Sequence, residues 1–112
     1  MTIEELTTLL TETLGDNIPV FYHHVFIAEG EEIPPVYVVT DSIGVNPFRA
    51  DNINYYMSYI NTVTVCAASF QEDLLATIEG VFNSAGVPFE RETEYDDDTL
   101  LFSTIYEVNL DN

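Results

Sequence analysis

Lysine and tryptophan are absent from this chain of 112 residues, and arginine occurs only at Arg49 and Arg91. Against those cations stand 20 carboxylates, giving a formal charge of −18. The lack of lysine excludes a Walker-type phosphate loop, which needs one to reach the phosphates. The negative excess disfavours binding of free nucleic acid, whose phosphates dominate its electrostatics, and of anionic membrane surfaces. Cys66 is the single cysteine, so no internal disulfide can form. It sits in an apolar strand pattern and reads as a small buried hydrophobe, which fits a reducing compartment. No apolar run approaches the ~18 residues of a membrane span. Met1 leads into an acidic amphipathic pattern rather than the basic and apolar regions of a signal peptide, so an intracellular protein is expected.

Core-forming material is not lacking. Hydrophobic residues make up 46% of the chain, with seven Tyr and seven Phe, and a chain of this size buries roughly two-thirds of its unfolded surface. Disordered chains share high net charge but lack such apolar content. The expectation is one folded domain over residues 1–112 with an acidic skin.

The hydrophobic pattern alternates between two periods. Ile3, Leu6, Leu10 and Leu14 recur at helical spacing, with Thr2 and Glu5 placed for a capping box and Gly15 for the C-terminal cap. Val20 to Ile27 is β-branched and aromatic, as strands are. Pro34-Pro35 holds the chain extended into a strand from Val36 to Thr40, whose near-continuous apolar character predicts burial on both faces. Asp41 to Asn54, with Gly44 and Pro47, reads as a long connection, a feature that is often functional. Tyr55 to Ala67 is the strongest strand, with Tyr59, Asn61, Val63, Val65 and Ala67 on one face. Ser69 and Glu72 suggest a second capping box, ahead of the stripe Leu74, Leu75, Ile78, Val81, Phe82 and Ala85. Gly86 and Pro88 end that helix.

The last third reads as a hairpin. Glu90, Glu92 and Glu94 share one strand face, with Arg91, Thr93 and Tyr95 on the other. Asp96-Asp97-Asp98 forms an acidic turn, and Thr99 to Leu110 returns with Phe102, Thr104, Tyr106 and Val108 on one face. The order α-β-β-β-α-β-β predicts an α+β fold, a mostly antiparallel sheet with two helices packed on it.

Catalytic chemistry has no evident home. His23 and His24 are neighbours in a strand pattern, so they point to opposite faces and cannot share one metal without a bulge. The Asp96 to Asp98 run lacks the spaced ligands, glycine and closing glutamate of a calcium loop. No serine has a nucleophile-elbow context. The chain is therefore read as a non-enzyme without cofactor or metal. The Glu90, Glu92, Glu94 face has two compatible readings, an edge strand guarded by charge or a negative wall facing a partner.

Taken in order, these segments resemble the small tail-completion or tail-terminator proteins of long-tailed phages and prophages of Gram-positive bacteria. The residues that carry the resemblance are Pro34-Pro35-Val36-Tyr37, the octapeptide from Phe48 to Tyr55, and an ending that reads Tyr95-Asp96-Asp97-Asp98 and then Ile105-Tyr106-Glu107-Val108. The resemblance implies a homo-oligomeric ring, commonly a hexamer, that caps the tail tube and joins it to the head. It implies a location in the virion tail, preceded by the host cytoplasm during assembly. Its partners would be the tail-tube protein and a head-completion or connector protein, with no direct sequence-specific nucleic-acid binding and no membrane. On this view the loop residues Phe48, Arg49, Asp51, Asn52 and Tyr55 reach a neighbouring subunit or the tube. Glu90, Glu92, Glu94, Asp96, Asp97 and Asp98 line the lumen or an exposed rim. The alternative is an acidic DNA mimic of the anti-restriction type, suggested by charge alone. An unrelated head–tail adaptor and a small enzyme complete the range.

Overall fold

The computed structural model describes residues 1–15, 18–23, 35–45, 58–98 and 100–110. The element order is α1 (Ile3–Leu14), β1 (Val20–Tyr22), β2 (Val36–Val45), β3 (Ser58–Ala67), α2 (Glu72–Ala85), β4 (Phe89–Asp96) and β5 (Leu101–Val108). This is the α+β order expected from the sequence.

Helix α1 begins with the expected capping box. Glu5 N–H donates to Thr2 Oγ1 at 3.2 Å, and Thr2 N–H donates to Glu5 Oε1 at 3.4 Å, so the first turn leaves fewer orphan donors. Ile3, Leu6 and Leu10 are buried. The threonines are weak helix formers, and Thr7, Thr8, Thr11 and Thr13 turn their hydroxyls back to carbonyls one turn earlier. Packing of the apolar stripe therefore holds this helix more than propensity does.

Helix α2 departs from expectation at its start. Its N-cap is Gln71, not Ser69, and no side chain caps it. A capping residue must directly precede the first helical residue, but Phe70 and Gln71 intervene. Phe70 is engaged with the Phe102 ring at 6.4 Å, and Gln71 Nε2 donates to Ser69 Oγ at 2.8 Å. Glu72 and Asp73 in the first turn stabilise the positive end of the helix dipole instead. At the other end Gly86 adopts φ 70° and ψ 32°, the left-handed conformation that glycine tolerates. Val87 N–H then reaches back to the Phe82 carbonyl at 2.8 Å.

The five strands form one sheet in the order β1-β2-β3-β5-β4. Only β1 with β2 is parallel; the remaining pairs are antiparallel. Two strand expectations are corrected. The segment Val36 to Thr40 is fully buried on one face alone, at Val38 and Thr40, because helices cover that face and Tyr37 and Val39 on the other stay half-buried. Asp41 to Val45 is not connection but the second half of β2, paired through Val45↔Ser58. The ladder offered by β3 outweighs the turn preference of Asp41, Ser42 and Gly44. Described pairing in β1 stops at Tyr22. The next residue, His23, has φ 71° and donates its N–H to the Thr40 carbonyl at 2.7 Å; positions 24–27 of the expected Val20 to Ile27 strand lie outside the described residues.

The core lies between the sheet and both helices. It joins Leu6 and Leu10 of α1, Leu75, Ile78 and Phe82 of α2, and Val38, Val63, Tyr106 and Val108 of the sheet. Phe82, Phe89 and Tyr106 meet with ring centroids 5.2–5.5 Å apart, the tilted and edge-on geometry aromatic quadrupoles favour. Cys66 is half-buried on the opposite sheet face rather than in this core, with Sγ 4.0 Å from Ser103 Oγ.

Candidate interaction surfaces

The antiparallel register assigns every strand residue to a face. Along β4, Phe89, Arg91, Thr93 and Tyr95 pair with Val108, Tyr106, Thr104 and Phe102 of β5; this is the helix side. Glu90, Glu92, Glu94 and Asp96 pair with Glu107, Ile105, Ser103 and Leu101 and face away from the helices. The alternation read from the sequence is therefore the alternation in the sheet. Because β4 pairs only with β5 and lies last in the sheet order, the acidic column runs along an edge.

The structure adds Glu107 to this column, directly across from Glu90. Like charges at opposed positions repel, so both carboxylates must remain solvated or meet a cation. They line a groove of about 380 Å³ with Ile60, Pro88 and Asn109. Sequence reasoning missed Glu107 because its place depends on the register between two strands. Next to the acids, the same face carries an apolar strip. Tyr37 meets Phe21 edge-on at 6.2 Å, and Ile43 and Ile60 are 54% and 40% exposed.

Asp96, Asp97 and Asp98 form the hairpin turn as expected. Asp96 Oδ1 accepts from Asp98 N–H at 2.9 Å, and Leu100 N–H donates to the Asp96 carbonyl at 2.7 Å. One of the three acids thus shapes the turn. These residues, Glu94, Tyr95 and Ser103 surround a basin of about 500 Å³.

Arg91 points away from the acidic column. Its Nη1 donates to Glu79 Oε2 of α2 at 2.9 Å, and the Tyr106 hydroxyl donates to the same oxygen at 2.9 Å. Burial, and then the Glu79 carboxylate, pushes the Tyr106 phenol far above its ordinary value. The group ties α2 to the hairpin and leaves the column without this arginine as counter-charge.

His23 stands at the end of β1 with Nδ1 2.5 Å from Asp41 Oδ1 and its ring 4.1 Å from that of Tyr22. His24 lies outside the described residues. Among the described residues, no three His, Cys, Asp or Glu side chains are grouped to hold a metal ion, and no helix is long and apolar enough to cross a membrane. The loop positions Phe48, Arg49, Asp51, Asn52 and Tyr55 also lie outside the described residues.

No family model matches the chain, and no curated protein matches it. In three dimensions it is similar to a chain from the virion of a native gene transfer agent particle. The TM-score is 0.60 at 9% identity, over 95% of this chain and 87% of that one. At that identity the likeness establishes a shared fold.

Proposed function

We propose that this chain is a structural component of a phage-type particle, acting without enzymatic chemistry as a tail terminator in the virion tail. The observation that carries the reading is the fold shared with a gene transfer agent virion chain across 95% of this sequence. The order of motifs from Pro34 to Val108 supports the finer assignment. In this reading the chain forms a ring, most simply a hexamer, that stops tube growth and offers a surface to the head-completion or connector protein. The acidic edge of β4 lies toward the lumen or an exposed rim, where carboxylates let DNA pass without adhesion. The Phe48 to Tyr55 loop reaches a neighbouring subunit or the tube.

Tail length measured by electron microscopy, in a phage lysate with and without this gene, tests the assignment. Overlong tails without heads are expected in the deletion; tails of normal length on full heads would remove the terminator reading. A ring of subunits each carrying −18 should also assemble better as salt screens the charge over about 8 Å at physiological strength.

A DNA mimic is the second reading, favoured by the regular column Glu90, Glu92, Glu94 and Asp96. Carboxylates at alternate strand positions recur every ~7 Å, as a row of phosphates would demand. The other acids are spread over both helices and the turns, which suits a solvated skin better than a mimic. Competition between this chain and duplex DNA for a basic DNA-binding protein separates the two.

A further inference from the structure

Three of the large apolar side chains that stand most exposed gather near one end of the molecule. Tyr95 and Phe70 are each 48% exposed and Leu100 is 60% exposed. Phe102 sits between the two rings, with centroids 4.7 Å from Tyr95 and 6.4 Å from Phe70. The resulting platform lies beside the acidic turn, with Asp97 and Asp98 immediately after β4.

Leu100 is held in an unusual way. Its φ of 59° places a side chain with a Cβ in the left-handed region, which asparagine or glycine enters more readily. A turn that needed only to reverse the chain would use one of those residues. Strain of this kind in an exposed apolar residue points to a use for the side chain.

The electrostatics define what fits. Arg91 is the one arginine among the described residues, and its carboxylate partner Glu79 lies on α2, away from this turn. A partner must therefore bring both apolar surface and positive charge. Arginine supplies both, because its planar guanidinium stacks on aromatic faces and pairs with carboxylates. A second copy of this chain offers this face little positive charge, having no lysine and two arginines, of which Arg91 is already paired with Glu79, and nucleic acid is repelled by the carboxylates.

We infer that the tip of the β4–β5 hairpin, with Tyr95, Leu100, Phe102 and Phe70 as platform and Asp97 and Asp98 as flank, is a docking surface for an arginine-bearing protein segment. The inference does not depend on the terminator reading. It says what chemistry the partner carries, whatever particle or complex the chain serves.

The test uses the ¹⁵N-labelled full chain and a capped octapeptide of alternating arginine and leucine, followed by amide chemical shifts. Saturable shifts confined to residues 94–103 and Phe70 are expected. Affinity should fall about tenfold in Y95S and in L100G, as for loss of a central contact, while the unfolding midpoint of L100G stays at or above that of the parent. E12Q, which removes an exposed acid on α1, should leave affinity unchanged. Equal losses in E12Q and D97N would show attraction by net charge alone and overturn the inference. So would shifts spread over both helices, saturable binding of a DNA duplex at the same amides, or broadening of those amides on concentration without peptide, which would assign the tip to a second copy.

Discussion

The β4–β5 hairpin carries an aromatic cluster at each end, and the two have opposite fates. At the base, Phe82 meets Phe89 and Tyr106, and Phe82 and Tyr106 have no exposed surface. Toward the tip, Phe102 meets Tyr95 and Phe70, and the outer two rings are half exposed. The residue types are alike, so aromatic character did not decide the outcome. Coverage did. Helix α2 begins at Glu72 and lays Leu75, Ile78 and Phe82 over the sheet, leaving Phe70 before its first turn and the hairpin tip beyond it. Apolar surface that a helix covers becomes stability; equal surface left uncovered is available to a partner.

The comparison breaks most sharply at Phe82. F82A should destabilise the chain by about 3–5 kcal/mol through lost burial and a residual cavity, read from urea unfolding; Y95A should cost a small fraction of that. A loss of similar size at both positions would mean the tip is as much a part of the core as the base.

The next effect lies at Glu79, whose Oε2 accepts from both Arg91 and Tyr106. E79A should cost about 1–3 kcal/mol, because the buried Tyr106 hydroxyl loses its acceptor. Y106F should recover part of that loss, and a double-mutant cycle measures the coupling.

Alkaline pH sharpens the same contrast. The Tyr106 phenol is held above the ordinary 10.0 of tyrosine, so as pH rises past 10 the unfolded chain loses this proton first and the folded state is disfavoured. Stability is intact below pH 10 and falls above it, on the order of 1 kcal/mol per pH unit for one such group. Urea midpoints at pH 9 and 11 should show a smaller decline in Y106F.

The smallest expected effect has the opposite sign. L100G relieves the left-handed strain at φ 59° and should stabilise the chain by about 0.5–1 kcal/mol, seen as a higher thermal midpoint. A loss there would mean that the Leu100 side chain packs within its own chain.

Several features were legible in the residues themselves. The Thr2–Glu5 capping box, the stripes of both helices and the faces of β3, β4 and β5 follow from period and cap chemistry, which act over a few residues. The same local reasoning failed where two segments compete. It ended β2 at Thr40 because Asp41, Ser42 and Gly44 favour turns, yet ladder bonds to β3 carry the strand to Val45. It placed the α2 cap at Ser69, where the Phe70 ring and Gln71 side chain take other partners. The acidic residues Glu90, Glu92 and Glu94 were read as one face, but their neighbour Glu107 and the apolar strip beside them depend on strand order.

By itself the sequence determined the elements, their order, the alternation of each strand and the lack of positive charge to balance the acids, because these are set by local stereochemistry and composition. Only the tertiary structure decided which aromatic residues are covered, that Arg91 is spent on Glu79 beneath the sheet, and that Leu100 is held outward at the hairpin tip. Those outcomes depend on how the helices and strands pack across one another, and residues distant in the chain acquire a common environment only once the sheet has formed.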